Sequence, residues 1–142
     1  MMPSFRPAPI ATLVTVVFVT LRAAGPVAAQ APAGRTPDPE TVLVTYHVKA
    51  GGEAAFAKIL DAQWKTMRDL ALVGEGPHVL MTRDGDPAHP TFIELFTWKD
   101  RDIPDHAPEA VQKLWQEMSR WVEARGVLPP IDITEVRLVR PE

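Results

Sequence analysis

The order of hydrophobic patterns along residues 41–139 is the feature that most restricts the fold of this chain. Period-two patterns, typical of strands, alternate with 3.6-residue patterns, typical of amphipathic helices. Four segments are predicted as strands: 41–48, 78–82, 91–98 and 131–139. Two helices are predicted, from residue 53 to about 72 and over 108–125. The resulting order, β-α-β-β-α-β, predicts a ferredoxin-like α+β fold, in which a four-stranded antiparallel sheet carries two helices on one face.

The first 29 residues are predicted to be a cleaved signal peptide. Residues 10–21 form an uncharged apolar run, which as a helix would span ~18 Å, short of the ~30 Å hydrocarbon core, so a stable membrane anchor is not expected. Small side chains in Val27-Ala28-Ala29 suit a signal peptidase, which makes Gln30 the new N-terminus and the mature protein periplasmic or secreted. The alternative is an uncleaved anchor. Residues 30–40 are predicted to be a flexible linker before a domain over 41–140.

Composition excludes several classes of function. The chain contains no cysteine, so thiol nucleophiles, thiolate metal sites and iron–sulfur clusters are ruled out. Its formal net charge is −3, which gives no reason to expect binding to nucleic acid. The four histidines lack the spacing of a metal motif, so no metal site is predicted.

The predicted third strand is apolar on both faces. Ile93 and Leu95 point to one side, while Phe92, Phe96 and Trp98 point to the other. Two helices can cover only one face of the sheet, and an exposed apolar face usually marks a partner surface. We therefore expect a homodimer in which two sheets face each other around a shared interior.

Three segments resemble the antibiotic-biosynthesis-monooxygenase-like group of the dimeric α+β barrel superfamily. They are KAGGEAAF at 49–56, FTWK at 96–99 and DHAPEAV at 105–111. The resemblance covers about residues 41–139, and it implies the ferredoxin-like fold, barrel dimerisation and a cavity between sheet and helices in each subunit. Members of this group range from cofactor-free oxygenases of polycyclic phenols and quinones to haem degraders and proteins without known activity. The Asn/Trp/His set expected of the haem degraders is not found at matching positions.

Glu94 is the first candidate for chemistry, because strand alternation places its carboxylate among Phe92, Phe96 and Trp98. A buried carboxylate is costly unless a donor or a cation meets it. His47 is predicted as its companion, since the first and third strands of this fold lie side by side. Such a pair in an aromatic pocket could abstract a proton from a phenol or an activated C–H group. The alternative places Glu94 at the dimer interface, paired with Arg83 or Arg137.

His106 is the third catalytic candidate. It precedes the second helix, whose N-terminus favours a neutral ring that can accept a proton. The alternative is a histidine that caps the helix or packs in the loop. Four aromatic side chains are predicted to bind the ligand: Tyr46, Phe92, Phe96 and Trp98. The alternative for Tyr46, which is the more common situation for a tyrosine of this kind, is a core position with a satisfied hydroxyl.

These features lead to three hypotheses of function. The first is an exported homodimer that binds a small hydrophobic or aromatic molecule and acts as a cofactor-independent monooxygenase. The second is a ligand-binding or stress-related protein with the same cavity and no turnover. The third is a haem binder that uses His47 or His106 as axial ligand.

Overall fold

The structure, a computed structural model, describes residues 34–83 and 85–141. The predicted signal peptide and residues 30–33 of the predicted linker lie outside the described residues. The strands are β1 (Glu40–His47), β2 (Val79–Thr82), β3 (Thr91–Trp98) and β4 (Ile131–Glu135). The helices are α1 (Glu53–Asp69) and α2 (Glu109–Met118), with a 3-10 turn over Pro104–His106. The sheet is antiparallel throughout, in the order β2-β3-β1-β4, which confirms the predicted ferredoxin-like fold.

Strand register decides which side chains face the helices. Val44 lies opposite Glu94, and Tyr46 lies opposite Phe92. Since side chains alternate along a strand, the even-numbered residues of β1 and β3 share one face. They are buried beneath α1 and α2 and form the core together with the apolar side of both helices. The odd-numbered residues of β1 and β3, such as Leu43 and Leu95, point to the opposite face of the sheet, which the helices do not cover.

The turn between β1 and α1 depends on two glycines. Gly51 has a φ of +80°, a conformation that L side chains rarely adopt. Gly52 precedes the helix, and a Cβ atom there would lie 2.9 Å from the ring of Trp121. The helix then buries a stripe at three- and four-residue spacing, made of Phe56, Ile59, Leu60, Gln63 and Met67. It ends at Asp69 rather than near residue 72, because Ala71 takes a φ of 54°.

The second helix is shorter than predicted, ending at Met118 instead of residue 125. The chain leaves the helix because the backbone that follows finds other partners: the Trp121 carbonyl accepts a hydrogen bond from Lys49 N at 2.8 Å. Arg125, predicted to end the helix, instead donates to the carbonyls of Val48 and Pro90, both at 2.8 Å. Ile133 lies on the core-facing side of β4, opposite Val44, and is 65% exposed.

The two ends of the described chain also depart from the sequence pattern. β4 ends at Glu135 rather than at residue 139, because its partner in the β1 ladder at that point is Val42, near the start of β1. At the other end, part of the predicted linker lies against the domain. Arg35 forms ion pairs of 2.7 Å with Asp100 and Asp102, although such exposed pairs stabilise by only about 0–1 kcal/mol. In the described parts of the chain, no helix has the length and apolar character needed to cross a bilayer.

Candidate functional site

A cavity of about 530 Å³ lies between the sheet and the two helices. This is within the range of small-molecule sites, ~300–1,000 Å³. Its walls are mostly apolar and aromatic, and include Val42, Val44, Phe96, Trp98, Trp115 and Met118. Tyr46 and Gln63 supply polar groups in the wall, which also includes the exposed Ile133 and Arg101 and the partly buried Glu40.

Directly behind Tyr46 lies Glu94, whose side chain is 0% exposed. The Tyr46 hydroxyl donates a hydrogen bond of 2.7 Å to Glu94 Oε2. His78 Nε2 lies 2.8 Å from Glu94 Oε1, and Gln63 Nε2 donates a longer bond of 3.4 Å to Oε2. Three donors from separate elements therefore surround a carboxylate that would otherwise be costly to bury. Glu94 itself does not line the cavity; Tyr46 and Gln63, which do, are hydrogen-bonded to its carboxylate.

Two aromatic side chains fix the partners of Glu94. Trp115 Nε1 donates a hydrogen bond of 2.9 Å to Gln63 Oε1, and this orients the amide so that its NH₂ group points towards Glu94. Trp64 stacks on the His78 ring, with centroids 3.7 Å apart and planes inclined by 11°. The network therefore extends from the cavity wall to a histidine that is partly exposed to solvent.

Burial raises the pKa of Tyr46 well above its ordinary value of 10.0. The negative charge of Glu94 and the hydrogen bond to Glu94 raise the pKa further, whereas Gln63 acts in the opposite direction. Tyr46 is therefore a neutral phenol at physiological pH. It can pass a proton to Glu94 while accepting another, but it cannot serve as a base on its own.

The structure places the predicted ligand-binding residues in two environments. Tyr46, Phe96 and Trp98 line the cavity. Phe92 is buried in the core against Phe56, with ring centroids 5.5 Å apart, and does not line the cavity.

The prediction that His47 accompanies Glu94 is wrong. Glu94 pairs with Val44, so it shares the face of the even-numbered residues of β1, and His47 lies on the opposite face. The His47 ring is buried there, with Nδ1 2.6 Å from the Pro129 carbonyl oxygen. The alternative partners Arg83 and Arg137 are also wrong, because the side chains that contact the carboxylate are Tyr46, Gln63 and His78.

His106 is exposed on the 3-10 turn. The two residues before it, Pro104 and Asp105, line the cavity, but His106 is not brought to Glu94. Its catalytic role stays a prediction. Within the described residues, no group of three or more His, Asp or Glu side chains is placed to hold a metal ion.

Sequence reasoning missed His78 and Gln63. Gln63 did leave a signal, because it occupies a core position in the otherwise apolar stripe of α1. A glutamine there needs hydrogen-bond partners of its own. His78 left a weaker signal: it lies two residues before Leu80, which pairs with Glu94, and that register is not readable from hydrophobic alternation.

The chain has a single tyrosine, so the absorbance of tyrosinate reports on Tyr46 alone. We expect Tyr46 to ionise far above pH ~10 in the folded protein. Glu94→Gln removes a charge and should lower the pKa of Tyr46, but not to its ordinary value, because burial is the larger cause. A group with a raised pKa stabilises the fold below its unfolded pKa, so stability should fall as pH rises above ~10, and fall less in Glu94→Gln.

The control is Glu117→Gln, at an exposed position of α2, which should leave the alkaline titration unchanged. Ionisation of folded wild-type Tyr46 at the pH of a free tyrosine would contradict this account of the site.

No family model matches the chain, and no curated protein matches it. Solved structures do. SnoaB, a cofactor-independent oxygenase from Streptomyces nogalater, is 15% identical, with a TM-score of 0.55 over 74% of this chain and 99% of SnoaB. An antibiotic biosynthesis monooxygenase is 19% identical, with a TM-score of 0.51 over 70% of this chain and 98% of the other.

A conserved protein from Methanosarcina mazei Go1 is also similar, at 14% identity and a TM-score of 0.52, over 70% of this chain and 91% of that protein. Identities this low establish the fold and not the activity. The resemblance seen in the sequence is confirmed at that level: this chain has the fold of the antibiotic biosynthesis monooxygenases.

Proposed function

We propose that this protein binds a small aromatic molecule in the cavity and oxidises it with O₂, without a cofactor. The observation that carries the proposal is the 2.7 Å hydrogen bond from Tyr46, on the cavity wall, to the fully buried carboxylate of Glu94. A proton leaving the ligand can move onto the Tyr46 oxygen while the phenol proton of Tyr46 moves to Glu94. Tyr46 thus makes a buried base accessible from a largely apolar cavity.

The proposed substrate is a molecule with an activated methylene group, such as an anthrone, which O₂ can oxidise without another co-reactant. Removal of one C–H proton leaves a carbanion, whose electrons pass to O₂ as a C–O bond forms. The resulting peroxide takes back a proton. Loss of the second C–H proton with cleavage of the O–O bond gives a ketone, and the released hydroxide leaves as water after protonation. One CH₂ group and one O₂ molecule thus become one C=O group and one water molecule.

The aromatic walls suit this chemistry. Phe96 and Trp98 pack edge to face, with centroids 5.0 Å apart, and line the cavity next to Trp115. They provide flat apolar contacts for a ring system and keep water from the carbanion.

Ligand binding without turnover is the second candidate, and one observation favours it. Both carboxylate oxygens of Glu94 are already hydrogen-bonded within the protein, and Glu94 presents no surface to the cavity. In that case the network has no catalytic role, and it holds Tyr46 in place as a hydrogen-bond donor or acceptor for a ligand oxygen.

Oxygen consumption with anthrone separates the two candidates. We expect uptake of one O₂ per anthrone, and a fall in kcat of about 10²-fold or more in Glu94→Gln and in Tyr46→Phe, as for loss of a general base. Binding should survive in both variants, measured as quenching by a non-reactive anthraquinone of the tryptophan fluorescence, to which Trp98 and Trp115 in the cavity wall contribute. Glu117→Gln is the control and should keep wild-type kcat. Saturable quenching with no oxygen uptake by the wild type would contradict the oxygenase and support the binding protein.

We also propose that the protein is a homodimer joined through the open face of the sheet. Two cross-strand rows support this: Val79 and Leu43 flank Leu95, while Met81 adjoins Ile93. Val79 and Met81 are 37% and 44% exposed. These side chains form an apolar surface that neither helix covers, and a second copy would bury it.

The test is the mass of residues 30–142 in dilute solution by light scattering. We expect a dimer for the wild type and a folded monomer for Leu95→Lys, because a charge at the centre of an apolar interface is costly to bury. Val127→Lys is a control outside the sheet, at a side chain that is 99% exposed, and should remain dimeric. A monomeric wild type would exclude this interface.

Export remains a proposal as well, supported by the apolar run at 10–21 and the small residues at 27–29. We expect the full chain, expressed in a Gram-negative host, to be recovered from the periplasm with an N-terminus at Gln30. A cytoplasmic product that begins at Met1 would contradict export.

A further inference from the structure

His78 lies at the end of the network farthest from the cavity. Its Nε2 atom is 2.8 Å from Glu94 Oε1, while Tyr46 occupies Oε2. The side chain is 22% exposed, in contrast to the 0% of Glu94. Going outwards from the cavity, the order is therefore Tyr46, Glu94, His78, solvent.

We propose that His78 is a positioning residue that sets whether Glu94 can accept a proton from Tyr46. This inference rests on the proposed function, because it assigns a control to the same base. With a neutral ring, Nε2–H donates a hydrogen bond to Glu94 and holds the carboxylate oriented towards Tyr46. With a protonated ring, His78 becomes a cation in contact with a buried anion, which stabilises the carboxylate and makes it a poorer proton acceptor.

The ring is held so that this contact persists. Trp64 stacks on it from α1, and Glu94 meets it from β3. Among the described residues, Glu94 is the ionisable group to which His78 is hydrogen-bonded, and Tyr46 is the next one along. The other polar side chain at the carboxylate, Gln63, is neutral. Lys65, next to Trp64 in sequence, is paired with Asp61 at 2.7 Å.

The expected behaviour follows from the two forms of His78. Proton acceptance by Glu94 should be efficient when His78 is neutral and should decline as His78 becomes protonated. A glutamine at this position can still donate a hydrogen bond to Glu94 but cannot titrate, whereas a leucine can do neither.

The first measurement does not need turnover. Tyrosine labelled with ¹³C at Cζ gives a single signal, because Tyr46 is the only tyrosine. We expect this signal to shift as the solution is acidified, because protonation of His78 changes the hydrogen bond between Tyr46 and Glu94. The shift should disappear in His78→Gln. It should persist in the control His89→Gln, whose side chain is 58% exposed in the hairpin loop and is paired with Asp86.

The second measurement is the pH profile of kcat with anthrone. Wild-type kcat should fall as the pH is lowered, with little change in KM. His78→Gln should lose the acidic decline of kcat. His78→Leu should reduce kcat by about 10- to 100-fold at every pH, as expected for loss of a hydrogen bond to a charged group.

The outcomes separate the inference from the proposed function. A wild-type Tyr46 signal that does not move with pH, or that moves equally in His78→Gln, overturns the role of His78. If the Tyr46 signal depends on His78 but the protein takes up no oxygen, the role of His78 is supported and only the proposed oxygenase activity is contradicted. If kcat declines equally at low pH in the wild type and in His78→Gln, the role of His78 is also overturned.

Discussion

The rest of the site depends on the burial of one carboxylate in the middle of a central strand. Glu94 shares the core-facing side of β3 with Phe92 and Phe96, where no water can satisfy it. Its partners come from β1, from α1 and from the segment before β2. Each of these elements must therefore keep its position relative to β3, or the charge loses a donor, which is typically more costly than losing a surface contact. The same requirement brings Tyr46 to the cavity wall.

A second constraint acts on the length of α2. The helix ends at Met118 because the chain beyond it pairs with backbone after β1. Arg125 donates one hydrogen bond there, to Val48 O, and three around the start of β3, to His89 O, Pro90 O and Thr91 Oγ1. A helix extended to residue 125 would have satisfied its own backbone instead. Ile133, which lines the cavity, is 65% exposed.

The fold was predictable because strands and helices have different periods, and residues 41–139 follow both clearly. The ends of helices and strands were less predictable. Nothing local in the sequence indicates that the backbone after Met118 pairs with Val48. The residues that share the face of Glu94 on β3 were predictable from the sequence, but its hydrogen-bond partners on other elements were not. Alternation placed Glu94, Phe96 and Trp98 on one face, but a one-residue difference in register decides whether His47 or Tyr46 meets Glu94. Register and the approach of His78 depend on tertiary packing, which hydrophobic alternation does not specify.

The central claim is that Glu94 takes up a proton from a ligand in the cavity through Tyr46. Infrared difference spectroscopy of the protein labelled with ¹³C-glutamate tests it directly, with 4-nitrophenol as a probe that cannot be oxidised at a methylene group. On binding we expect the band of a protonated, isotope-shifted carboxyl group to appear together with the absorbance of nitrophenolate. Both should be absent in Glu94→Gln. Binding of nitrophenol in its neutral form, or a carboxyl band that survives in Glu94→Gln, would contradict the account.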